Sequence, residues 1–324
     1  MIFWFADAHS CLPVRHDSDI HQLQRHFDAG VRYVSINIGM DMNPLSQIMT
    51  TLAGFRAQLK QSALCERAET YADIQRIVAS GKMAVSFDLE GGLPLLECPD
   101  MVEIYHTLGV RQIHLAYNRN NSLSGGAHDP IRQGLTKLGE KVVDKIHECG
   151  ILMDLSHGDE KSALDICAYS GNRPVLFSHA NPAAVVAHGR NITDRAAKAC
   201  ANTGGLVGVN GVARFVGDPN LSPLSLIPMI DHLVQLLGAQ HVGVGLDYCY
   251  DDGIADIPED CNRQYWWPPE AGYDPIKGLS GKYTPPEAFG ILYEALDKRG
   301  YPETAIHGIL RDNLLNLIQR VWTK

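Results

Sequence analysis

The chain has 324 residues, 45% hydrophobic and 20% charged, an ordinary globular composition with enough length for a large core. Its formal net charge of −9 excludes the basic surface that nucleic acid or an anionic membrane requires. Eight cysteines are spread along it without a C-x-x-C pair, which excludes a zinc ribbon or thioredoxin motif and predicts reduced core thiols.

Residues 2–9 (IFWFADAH) read as a first strand, too short and too poor in basic residues for a signal peptide. No apolar run approaches the roughly 20 residues that cross a bilayer, so a cytoplasmic protein without membrane contact is expected. A helix over 20–29 follows, capped by Ser18 or Asp19 and stopped by Gly30. Residues 31–39 (VRYVSINIG) alternate as a second strand. Asn43 as cap and Pro44 at the first turn open a helical region that is broken near 64–67 and runs to Gly81. Residues 82–91 (KMAVSFDLEG) form strand three, and 99–108 a helix. Residues 110–117 (VRQIHLAY) form strand four. The polar loop 118–130 is long enough to be functional.

A helix over 136–149 ends at Gly150. Two apolar runs then each lead into Ser-His: 151–157 (ILMDLSH) and 174–180 (PVLFSHA), strands five and six, with a helix between. A helix over 193–202, strand seven at 206–212, a helix over 223–237 and strand eight at 241–248 complete the series. Eight strands alternating with helices predict a parallel sheet closed as an α/β TIM (β/α)8 barrel. No G-x-G-x-x-G turn supports an open doubly wound sheet instead. One domain is expected over 1–324, with an aromatic-rich loop at 249–284 and C-terminal helices within 285–322. That loop is a lid, a subunit contact, or an apolar cluster against the barrel wall.

In such a barrel the chemistry sits where the strands end. The candidates there are Asp7, His9 and Cys11 on strand one, and Asp88 and Glu90 on strand three. Strand four adds His114 and Tyr117, strands five and six His157 and His179, strand seven Asn210 and strand eight Asp247. Imidazole, carboxylate and thiolate are metal ligands, and two metals about 3.5–4 Å apart activate water. Glu90 is placed to bridge them, because Gly91 and Gly92 leave space beside it. Asp247 is placed to take the water's proton or to orient a histidine. Cys11 taken alone is a small core residue, and Asp7 and Asp88 brace the barrel. Arg190 suits a substrate carboxylate, or else pairs with Asp194. Asn210 is placed on the substrate side.

The motifs DAHSCLP at 7–13, EGG at 90–92, GILMDLSH at 150–157, FSHANP at 177–182, GRNITD at 189–194 and GVGLDY at 243–248, in that order, resemble the membrane (renal) dipeptidases. So do LTKLGEKVV at 135–143 and the closing ILRDNLLNLIQRVW at 309–322. This family of metallopeptidases lies within the amidohydrolase superfamily. The resemblance implies one or two Zn2+ per chain and hydrolysis of dipeptides by metal-activated hydroxide, often tolerating a D-residue on the C-terminal side. It implies His9, Cys11 and Glu90 at the first metal, and Glu90, His157 and His179 at the second. Arg190 matches the grip on the substrate carboxylate and Asp247 the acid/base. A homodimer is also implied. Two positions depart from the family: Cys11 stands where it has Asp, and Tyr117 where it has a histidine on the scissile carbonyl. A phenol donates a hydrogen bond there but carries no positive charge. Two other readings stand beside this one: a hydrolase of a non-peptide amide or lactone, and a catalytically silent relative that binds a small ligand.

Overall fold

Ten strands share one all-parallel sheet in the computed structural model, which describes residues 3–274 and 281–322. They are β1 (Phe5–Cys11), β2 (Val31–Met40), β3 (Cys65–Arg67), β4 (Met83–Glu90), β5 (Val110–His114), β6 (Leu152–Asp154), β7 (Val175–Phe177), β8 (Leu206–Val209), β9 (Val242–Val244) and β10 (Tyr248–Cys249). The order is β10-β1-β2-β4-β5-β6-β7-β8-β9, with β3 outside that path on β4. All eight residues of β4 are buried, as expected of a strand covered on both faces.

The predicted eighth strand is two short strands, and its interruption closes the barrel. β9 pairs with β8, and β10 pairs with β1. Between them Gly245 N–H donates to the Val209 carbonyl (3.1 Å) and Asp247 N–H to the His9 carbonyl (2.9 Å). The chain thus passes from one neighbour to the other within three residues, and Asp247 adopts φ +53°. Gly208 and Gly245 permit the tight interior, since a Cβ on either would lie 2.1 Å from the Ser178 carbonyl oxygen. Gly208→Ala is therefore expected to lower stability by roughly 1–3 kcal/mol, the cost of overpacking. An unchanged denaturation midpoint would remove this account of the glycine.

The break near 64–67 is a short strand, and it divides the helical region into Leu45–Gln61 and Tyr71–Ala79. Asn43 does not cap the first of these. Its Oδ1 accepts from Met40 N–H (2.9 Å), and Pro44 takes the cap position. The second helix starts at a capping box formed by Thr70 and Asp73. Asp19, one of the two expected caps, accepts from a first-turn N–H, and Thr136 and Thr193, expected as first helical residues, are caps that do the same. Cys65, Cys167 and Cys200 are buried thiols.

The last helical stretch contains a π-helical turn, Gly308–Asp312, before the helix Asn313–Val321. Leu314, Leu317 and Ile318 of that helix pack on Ala6, Leu152, Leu176 and Leu206, which lie towards the starts of their strands. This helix covers the end of the barrel where the strands begin, and the end where they finish faces the cavity. Among the described residues no helix is long and apolar enough to cross a membrane. Residues 1 and 2 of the first predicted strand and 275–280 of the aromatic-rich loop lie outside the described residues.

Candidate metal centre

The strand ends bring four side chains to one point. Glu90 Oε1 lies 3.0 Å from His157 Nε2, 3.4 Å from His9 Nε2 and 3.5 Å from His179 Nε2. His9 Nε2 is also 3.5 Å from Cys11 Sγ and 3.6 Å from Asp247 Oδ1. His9, Glu90, His157, His179 and Asp247 are buried, and Cys11 is half-buried.

The opposite nitrogens show what this point is built for. His157 Nδ1 donates to Asn118 Oδ1 (2.8 Å), whose orientation is set by Asn118 Nδ2 donating to the Trp266 carbonyl (3.1 Å). His9 Nδ1 faces Asp88 Oδ1 at 3.2 Å, and His179 Nδ1 is 2.8 Å from Ser178 Oγ. The Asn118 oxygen requires an N–H at His157 Nδ1, which leaves Nε2 of that ring as the lone pair. The Nε2 atoms of His157 and His179 nevertheless lie 2.9 Å apart. Burial, with Arg190 nearby, holds His157 well below the ordinary histidine range. Burial and His9 do the same to His179. Two neutral imidazoles thus point ring nitrogens at each other and at a carboxylate oxygen. That donor set fits a cation at the common focus.

Burial pushes the Glu90 carboxyl up to about 7, against the pull of His9 and His114. Glu90 is steadied by Asn37, whose Nδ2 donates to Oε2 at 2.6 Å. Burial opposes charge on His9, yet Asp88 and Glu90 raise its pKa well above the usual value. Asp7 sits off the focus, accepting from Ser10 Oγ (2.8 Å) and Leu246 N–H (2.9 Å), which makes it a barrel brace. His114 lies beside the focus, with a ring nitrogen within 4.8 Å of donor atoms of Glu90 and His179, but its nitrogens face other groups: Nδ1 donates to the Leu89 carbonyl (3.1 Å) and Nε2 faces Asp154 Oδ2 (3.1 Å).

The glycines beside Glu90 do not open space for an ion. A Cβ on Gly91 would lie 2.2 Å from Asp41 Oδ1, and one on Gly92 would meet Leu123 and the Leu115 carbonyl. Gly91, at φ +128°, admits the Asp41 carboxylate instead. Asp41 accepts from Leu93 N–H and Tyr117 N–H, both at 2.9 Å, and so fixes the Tyr117 backbone. The Tyr117 ring stacks on His157 with centroids 4.2 Å apart. Trp267 Nε1 donates to the Tyr117 hydroxyl (3.1 Å), which leaves the phenolic proton for another acceptor.

A cavity of about 590 Å³ opens over this point, within the range of small-molecule sites. Glu90, His157, Asp247, Tyr117 and Arg190 line it, together with Trp267 and Tyr273 of the aromatic-rich loop. Those two aromatics also cluster with Phe215 and Val212, so the described part of the loop is both cavity wall and apolar cluster. Arg190 is 3% exposed, and its Nε and Nη2 have no hydrogen-bond partner among the described residues. The alternative partner, Asp194, binds His232 instead (2.8 Å). Asn210 differs from its expected place. Its Nδ2 donates to Asp247 Oδ2 (3.0 Å) and its Oδ1 accepts from Val212 N–H (2.6 Å), so it holds Asp247 and is not on the cavity wall. His157, Asn118 and Asp247 all have positive φ without being glycine, a local strain that concentrates at functional sites.

Sequence reasoning assigned no role to Asn37, Asp41, Asn118 or Cys249 individually; the long polar loop that begins at Asn118 and the aromatic-rich loop at 249–284, which holds Cys249 and Trp267, carried the signal.

The family model of the membrane dipeptidases, peptidase family M19, matches residues 45–265. A dipeptidase of Claviceps purpurea is 31% identical over 202 residues, 59% of this chain and 47% of that protein. A dipeptidase of Aspergillus terreus is 26% identical over 280 residues, 78% of this chain and 62% of the other. The chain thus spans about half the length of the curated relatives it matches. Among solved structures, an amidohydrolase from Pseudomonas aeruginosa superposes with a TM-score of 0.85 at 21% identity, covering 99% of this chain and 97% of the other. A metallo peptidase from Rhodobacter sphaeroides, liganded with a phosphinate mimic of the dipeptide L-Ala-D-Ala, gives 0.79 at 21% identity, with 99% of both chains covered. At such identities these two likenesses establish the fold.

Proposed function

The chain belongs to the membrane dipeptidase family, and we propose that it hydrolyses the peptide bond of dipeptides at a two-metal centre that takes zinc. The observation that carries this reading is the convergence of three imidazole nitrogens on Glu90 Oε1, beneath a cavity lined also by a buried guanidinium with two nitrogens unpartnered among the described residues. His9, Cys11 and Glu90 are the ligands on the β1 side, and Glu90, His157 and His179 those on the other. Imidazole, carboxylate and thiolate together suit zinc better than a hard cation. Bound metals would polarise the scissile carbonyl and bring the pKa of water towards neutrality.

The remaining steps belong to the chain's own groups. Arg190 binds the free carboxylate of the dipeptide, which supplies the acceptors that its buried Nε and Nη2 lack among the described residues. The Tyr117 hydroxyl, which accepts from Trp267, donates its proton towards the oxyanion that develops on the carbonyl. Asp247, held by Asn210, receives the attacking water's proton and delivers it to the departing amine. Its pKa is raised by burial, which suits a group that must both accept and release a proton. A D-residue on the C-terminal side is included in the proposed substrate range.

A panel of L,L- and L,D-dipeptides, N-acyl amino acids and lactones, run on metal-loaded protein, tests the reading. Rapid turnover of a lactone or non-peptide amide with none of any dipeptide would displace it. A narrower test uses Arg190→Met, which is expected to raise KM for a free dipeptide roughly 10–100-fold, the worth of a charged hydrogen bond. The same variant should handle the dipeptide C-terminal amide as the wild type does. An equal loss on both substrates would refute the carboxylate grip.

A further inference from the structure

Cys11 has a second sulfur beside it. Cys249 in β10 is its direct partner across the parallel β1–β10 pair. Residues at matched positions of neighbouring strands point to the same side of the sheet. Both cysteines are half-buried and both line the cavity above Glu90. Donor atoms of Cys11, Cys249 and Asp247 all lie within 4.8 Å of one another. A separate group, His9, Cys11 and Glu90, meets the same limit, so Cys11 belongs to both sets. The pair is brought together by the break in the eighth barrel strand, which carries Cys249 onto the edge of β1. A thiol that releases its proton binds zinc at about 2.3 Å, so ligands of one ion lie within about 4 Å of each other. A small inward movement of two partly exposed side chains meets that requirement.

We propose that Cys249 is a thiolate ligand of the metal on the β1 side, acting with Cys11, so that this half of the centre is sulfur-rich and selects a soft divalent cation such as Zn2+ or Cd2+. The assignment rests on the metal centre proposed above. Each thiol gives up one proton on binding, and no oxidant or reductant is needed. The site takes two thiolates in place of harder oxygen ligands, which shifts its preference away from Mg2+ and Mn2+.

X-ray absorption at the zinc edge tests this on the full chain, with zinc content measured on the same samples. The wild type is expected to show two Zn–S contacts per chain at about 2.3 Å. Cys249→Ser and Cys11→Ser should each show one, and the double variant none. Cobalt-loaded protein should lose part of its thiolate charge-transfer absorption in each single variant. A wild-type spectrum with one sulfur that survives Cys249→Ser and disappears in Cys11→Ser overturns the assignment and leaves the metal centre standing. A wild type that takes up no metal overturns both. Should Cys249→Ser fail to fold, iodoacetamide labelling of the wild type, located by mass spectrometry, gives the answer. Stoichiometric Zn2+ is expected to protect Cys249 at least tenfold, and unchanged labelling of Cys249 in zinc-loaded protein overturns the assignment.

Discussion

Glu90→Gln is expected to strip the chain of bound metal and to bring dipeptide turnover close to background. Glu90 Oε1 lies within 3.5 Å of all three focal imidazoles. An amide at this position removes the negative charge that offsets two cations. It also sets an NH2 group either against the Asn37 donor at Oε2 or against the imidazole lone pairs. The loss should exceed the roughly 10–100-fold typical of an outer-shell partner. Metal analysis of purified protein, paired with kcat/KM on the best dipeptide, measures it. Two metals per chain with near-normal turnover would show that the proposed bridge is not one.

Asp247→Asn is the second large effect. The substitution keeps the shape and lets the Asn210 contact persist, but it removes the group proposed to move the proton. A fall in kcat of roughly 10²–10⁴ is expected, with little change in KM. A loss confined to KM, or turnover within tenfold of the wild type, would move Asp247 out of the proton path. The two substitutions separate cleanly, because the first acts through metal content and the second acts on chemistry at a loaded centre.

Much of the barrel could be read from local pattern. Strand–helix alternation, the cap at Asp19 and the stop at Gly150 depend on residues within a few positions of each other. The same holds for the polar residues that end each strand. In a parallel barrel every strand finishes at the same face, so naming His9, Glu90, His157 and His179 needed only the ends of four strands.

Where pattern misled, the contacts were distant ones. Gly91 and Gly92 read as room for an ion, and the room is filled by Asp41 and Leu123, which are far from them in sequence. Asn210 read as facing substrate, and its amide is committed to Asp247 and Val212. The break near 64–67 read as a helix interruption, and it is a strand because β4 offers it an edge.

The sequence by itself determined the fold class and the chemical types gathered at one end of the barrel, since periodicity, caps and strand ends are local properties. Only the tertiary structure decided which atoms face each other. Strand register set Cys11 against Cys249, and closure of the barrel turned Asp247 towards His9. Long-range hydrogen bonds, Asn118 to His157 and Trp267 to Tyr117, chose which imidazole nitrogen and which phenolic proton remain available. Such relations join residues tens to hundreds of positions apart, and a local pattern carries no record of them.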